Sequence, residues 1–100
     1  MLSPAERKEL RARAHKLDPV VMIGAKGLTD EVVKEVDLAL KAHELVKVRA
    51  PSLERGAREV ALQALCERTG AEPVQQIGKV LVVYRKNEER PGATSNRPRT

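Results

Sequence analysis

Two of the large aromatic residue types are missing altogether. The 100-residue chain has no Phe and no Trp, and Tyr84 is the only member of the Phe, Trp and Tyr set. Modules that stack several bases on a sheet need several such rings, so that class of nucleic-acid recognition is excluded. Cys66 is the only cysteine, which excludes an internal disulfide and any zinc centre built on cysteine pairs. No stretch reaches the roughly 20 apolar residues of a membrane-spanning helix. The start, Met1-Leu2-Ser3-Pro4-Ala5-Glu6-Arg7-Lys8, lacks the apolar segment of a signal peptide. These absences predict a cytoplasmic protein without membrane contact.

What is present is an apolar content of 41%, enough for one modest core in one domain. Lys and Arg total 19 against 14 Asp and Glu, a net charge of +5, and such a surplus favours polyanionic partners. The surplus is uneven. Residues 1–84 carry 14 basic and 12 acidic side chains, whereas residues 85–100 carry 5 and 2. Residues 87–100 are charged, contain Pro and Gly and show no periodicity, so a disordered basic tail is expected there.

Ser3-Pro4-Ala5-Glu6 is a helix start, with a Ser N-cap, Pro at the first helical position and Glu in the first turn. This helix is expected from Pro4 to about Lys16, stopped by Asp18-Pro19, with Leu10, Ala14 and Leu17 on one face. At about 100° per residue, Arg7, Lys8, Arg11 and His15 form a neighbouring cationic arc. The run Val20-Val21-Met22-Ile23 reads as a buried strand. Thr29 caps a second helix whose apolar face carries Val32, Val33, Val36, Ala39, Leu40 and His43, with the His43 ring partly buried. Leu45 to Ala50 alternates, burying Val46, Val48 and Ala50 and turning Lys47 and Arg49 outward.

A third helix is expected from about Leu53 to Thr69, with Leu53, Ala57, Val60, Ala61, Ala64 and Leu65 inward and Cys66 off that face; Gly70 ends it. A hairpin follows, Val74 to Ile77 and Val80 to Arg85, turning at Gly78-Lys79 in a type II′ geometry. The order α-β-α-β-α-β-β predicts an α/β (α+β) single domain with a four-stranded mixed sheet packed by helices. Its first three strands run in parallel directions and the fourth opposes them.

Between the first strand and the second helix lies Gly24-Ala25-Lys26-Gly27. Two glycines around a lysine let another molecule's backbone come close, and the helix N-terminus behind them favours an anion, although Asp30 and Glu31 oppose it. The loop lacks the Gly-Lys-[Ser/Thr] ending of a nucleotide-binding P-loop and the longer dinucleotide pattern. Catalysis finds no support either. Cys66, His15 and His43 lie on separate elements without a sign of convergence, and no acid–base dyad or metal cluster is visible, so Cys66 and His43 read as structural.

The blocks Ala14-His15-x-Leu17-x-Pro19-Val20-Val21-x-Ile23-Gly24-x-x-Gly27-Leu28-Thr29, His43-Glu44-Leu45-Val46-Lys47-Val48, Thr69-Gly70-Ala71 and Ile77-Gly78-Lys79-x-Leu81-Val82-x-Tyr84-Arg85 resemble the YhbY-type stand-alone CRM (chloroplast RNA splicing and ribosome maturation) domain. The resemblance spans residues 1–86 and omits the tail. It implies a fold like the C-terminal domain of translation initiation factor three and an RNA loop comparable to that of KH domains. Bacterial members of the family are associated with large-subunit ribosomal precursors, and plant relatives with organelle intron splicing.

Carried to this chain, the resemblance makes Gly24, Ala25, Lys26 and Gly27 the RNA loop. Arg7, Lys8 and Arg11 become a basic helix surface that Lys47 and Arg49 extend. Lys79 and Arg85 are left as solubilising charges on the hairpin. The expectation is a non-catalytic protein, a monomer when free, that docks on ribosomal RNA of large-subunit precursors. It needs no cofactor, metal or small-molecule substrate. The alternative is a protein-docking adaptor of ribosomal particles for which RNA contact is incidental.

Overall fold

Local capping chemistry starts the first two helices at the expected residues. The computed structural model describes residues 2–86; the tail expected at 87–100 lies outside them. Helix α1 (Pro4–Ala14) opens with a reciprocal box in which Ser3 Oγ accepts the Glu6 amide at 3.1 Å and Glu6 accepts the Ser3 amide at 2.9 Å. It ends earlier than Lys16, because Lys16 and Leu17 donate to carbonyls three residues back, at Arg13 and Ala14, a tighter turn that finishes the helix. Helix α2 (Asp30–His43) is capped by Thr29, whose Oγ1 accepts the Val32 amide at 3.2 Å. Glu44 then turns the chain with φ of 65°, its amide donating to Leu40 and its carbonyl accepting from Arg85.

The remaining elements are β1 (Val21–Met22), β2 (Leu45–Arg49), α3 (Arg55–Thr69), β3 (Glu72–Ile77) and β4 (Val80–Tyr84). The sheet order is β1-β2-β4-β3, with β1 and β2 parallel and β4 antiparallel to both its neighbours. The first three strands therefore run one way and β4 runs between β2 and β3 in the other, as the element order predicts. Gly78 takes φ of 55° at the hairpin tip, which a glycine there accommodates. Pro73 sits in edge strand β3 at a register shift, a strand position that tolerates a missing N–H.

Both faces of the sheet are covered. On one face Val21, Ile23, Val46, Val48, Leu81 and Val83 pack with Val32, Val36 and Leu40 of α2 and Ala61, Leu62, Leu65 and Cys66 of α3. On the other, α1 lays Leu10 and Ala14 over Leu45, Val74 and Val82. Leu45, on the face of Lys47 and Arg49, is buried because α1 packs over it. No helix among the described residues is long and apolar enough to cross a membrane.

Four expectations need correction. Val20 and Met22 are not buried: β1 is a two-residue edge strand whose Val21 and Ile23 face α2 and α3, while Val20 and Met22, 55% and 57% exposed, face the side that α1 only partly covers. Helix α3 starts at Arg55, and its core face is rotated, with Leu62, Cys66 and Thr69 buried while Ala57 is exposed and Val60 is 70% exposed. Small apolar residues surround this helix, so periodicity alone does not choose the face; packing on the sheet does. His43 is exposed although it shares the Val32–Val36–Leu40 face, because it is the last residue of α2 and the chain turns away directly after it at Glu44.

Arg85 is not a solubilising charge. It donates to the Asp37 carboxylate at 2.7 Å, to the Asp37 carbonyl at 3.2 Å and to the Thr69 carbonyl at 2.6 Å, joining the end of β4 to α2 and to the last turn of α3. The hydrogen bond from Arg85 holds the Asp37 carboxyl below the usual aspartate range, with the Arg85 and Lys41 charges acting in the same direction.

Candidate nucleic-acid interface

Strand β1 delivers the glycine loop by way of Ile23, fully buried, whose amide donates to the Arg49 carbonyl at 2.7 Å. Gly24, Ala25 and Lys26 are exposed, and the Gly27 amide closes the turn on the Gly24 carbonyl at 3.0 Å. Gly27 has φ of 79°, a left-handed conformation that costs an L-residue roughly 1–2 kcal/mol. Gly24 has no such constraint, and a Cβ there would meet nothing within 4 Å. Behind the loop, the Asp30 carboxylate pairs with Arg68 at 2.6 Å, and that hydrogen bond, aided by the charge, holds its pKa below the usual value. Of the two acidic residues that oppose an anion at this helix start, one is thus balanced by a cation.

Because β1 and β2 are parallel and β4 and β3 meet in a hairpin, three connections leave the sheet at the same end. These are Gly24–Gly27, the Ala50–Leu53 turn and the Gly78–Lys79 tip. The Ala50 amide donates to the Lys79 carbonyl at 2.7 Å, so the hairpin tip is tied to the exit of β2. Exposed Lys26, Arg49 and Lys79 belong to this end. The register also sets Met22, Arg49, Val80 and Ile77 in one row across all four strands, with exposed apolar side chains at both margins and the guanidinium of Arg49 between them.

Lys47 lies one pleat further along the same face, half-buried, and its Nζ donates to the Leu17 carbonyl at 3.0 Å. The structure thus brings Gly24, Ala25, Lys26, Gly27, Lys47 and Arg49 together through the β1–β2 pair. It does not bring Arg7, Lys8 and Arg11 to them. Lys8 is exposed, Arg7 and Arg11 are half-buried, and the buried Arg7 Nε has no hydrogen-bond partner among the described residues. With about 100° per residue, these three fall on one flank of the Leu10–Ala14 line and Arg13 and Lys16 on the opposite flank. Arg13 and Lys16, not Arg7 and Arg11, share a groove with Lys47. Lys79, Arg13 and Lys16 escape sequence reading because only strand register and helix placement bring them to β2.

Cys66 is 8% exposed, and burial, helped by the Glu72 charge, pushes its thiol up to about 11, which leaves almost no thiolate at neutral pH. Among the described residues no group of three or more His, Cys, Asp or Glu is placed to hold a metal ion.

Residues 2–85 match the family model for the CRS1/YhbY (CRM) domain. A Haemophilus influenzae protein named "RNA-binding protein" is 42% identical over 88 residues, which cover 88% of this chain and 89% of that one. The Bacillus subtilis protein named "Probable RNA-binding protein YqeI" is 34% identical over 89% of this chain and 93% of its own. The solution structure of Staphylococcus aureus SAV1595 superposes with a TM-score of 0.81 at 33% identity, covering 92% of this chain and 96% of that one.

Proposed function

This chain belongs to the CRS1/YhbY (CRM) domain family, and from that membership we propose that it is a non-catalytic RNA-binding protein that docks on ribosomal RNA of large-subunit precursors. The RNA part of this reading is supported by the names of the similar proteins. The ribosomal part is supported by the family resemblance of the sequence blocks. The single observation that carries the reading to particular residues is Gly24. Neither its φ nor any neighbouring atom requires a glycine, so the open space above the turn is left for something outside the chain.

The mechanism is an electrostatic clamp. The bare turn admits a ribose-phosphate backbone, and Lys26 at its tip neutralises a phosphate. Arg49 and Lys47 on the adjoining strand continue the track, and the sheet fixes their spacing. Without a set of aromatic rings, recognition rests on backbone charge and shape. The reading carries with it a monomer in the cytoplasm.

Lys26→Glu tests it. The side chain is exposed, so the melting temperature stays unchanged while affinity for precursor-particle RNA falls by about tenfold or more in filter binding. Crosslinking with sequencing of the attached RNA identifies the segment bound. The row containing Met22 and Ile77, exposed and apolar, favours the adaptor as the second reading. Unchanged binding of the Lys26→Glu protein to RNA and to ribosomal particles selects the adaptor and rejects the clamp.

A further inference from the structure

A groove of about 640 Å³ opens between the last turns of α1, the Leu17–Val20 link and the first half of β2. Its origin is a failure of the parallel ladder. Lys47 and Arg49 turn their carbonyls toward β1, where the Val20 and Ile23 amides donate to them. By strand alternation the Leu45 carbonyl points to the same edge, and the next donor in register would come from Pro19, which has no N–H. The ladder stops there. Beyond that point Leu45, Val46 and Lys47 of β2 line the groove together with Val20, Leu17 and Asp18.

Resting on the RNA-binding reading above, we propose that this groove receives one unpaired nucleobase of the bound RNA, extruded beside the backbone track. Its volume falls in the range of small-ligand sites. Leu17 and Val20, 38% and 55% exposed, supply aliphatic surface for a base to lie against, a substitute for the set of aromatic rings that the chain lacks. Charge complementarity fixes the orientation. Arg13, Lys16 and Lys47 line the rim where the flanking phosphates pass, while Asp18 and Glu9 present acceptors to the donor groups of a base edge. The site makes a preference for RNA with an unpaired nucleotide a property of this face, separate from the glycine turn that grips the backbone.

The test uses the full chain and two RNA hairpins, one fully paired and one identical but for a single bulged 2-aminopurine. The bulged hairpin binds about tenfold tighter, and 2-aminopurine emission changes on binding as the base leaves water. Val20→Glu puts a carboxylate into the groove at a half-exposed position, so it folds with an unchanged melting temperature. It abolishes both the preference and the emission change, and costs the paired hairpin less affinity than the bulged one, because the paired hairpin loses only the charge effect beside Lys47. Equal affinity of the unmodified protein for the two hairpins overturns the base site and leaves the RNA-binding reading standing. A Val20→Glu protein that keeps the preference also overturns it, and assigns the groove to another occupant such as an added protein strand. Failure to bind either hairpin overturns the RNA-binding reading itself.

Discussion

Gly24 and Gly27 flank the same turn but are glycines for different reasons. Gly27 is left-handed, so Gly27→Ala destabilises the fold by about 1 kcal/mol or more, measurable by chemical denaturation. Gly24 is neither left-handed nor crowded, so Gly24→Ala stays within about 0.5 kcal/mol of the original stability. It weakens RNA binding instead, because the added methyl occupies the approach to the turn. Equal stability losses for the two substitutions would show that Gly24 serves the fold, and the approach argument would fail. Gly56, in the first turn of α3, also stands in open space, and nothing in the structure explains it.

The elements divide into those written in local chemistry and those set by long-range packing. The starts of α1 and α2 and the hairpin were legible because Ser3, Thr29 and Gly78 act on backbone a few residues away. The alternation of β2 was legible for the same reason: Val46 and Val48 differ from Lys47 and Arg49 in a period of two. The core face of α3 was not, since Ala57, Val60 and Leu62 are interchangeable until the sheet selects among them. Nor was the placement of α1, which decides that Lys47 meets Arg13 and Lys16 and is separated from Arg7 and Arg11. The junction at Arg85 belongs to this second kind. Asp37 has a depressed folded-state pKa, so its contribution is complete above the ordinary aspartate value and is lost as pH falls through the depressed one. Acidification below about pH 4 therefore costs the original protein more stability than it costs Asp37→Asn, in denaturant midpoints measured along a pH series. Arg85→Met lowers stability at neutral pH by about 1–3 kcal/mol, because three acceptors on α2 and α3 lose their donor together.

At the scale of the molecule, one sheet end gathers Lys26, Arg49 and Lys79, and the adjoining face adds Lys47, Arg13 and Lys16. A surface meeting about four to six phosphates predicts log affinity falling against log salt with a slope of roughly −3 to −5. Filter binding across a salt series checks this, and a flat response contradicts the clamp. The two prolines have a consequence of another kind. Pro19 cuts short one margin of the sheet, and Pro73 kinks the other through its register shift. Exposed strand margins are templates for uncontrolled self-association into fibrils. The shift at Pro73 breaks the straight row that edge strand β3 would otherwise offer a second copy, and the two-residue β1 is too short to offer one.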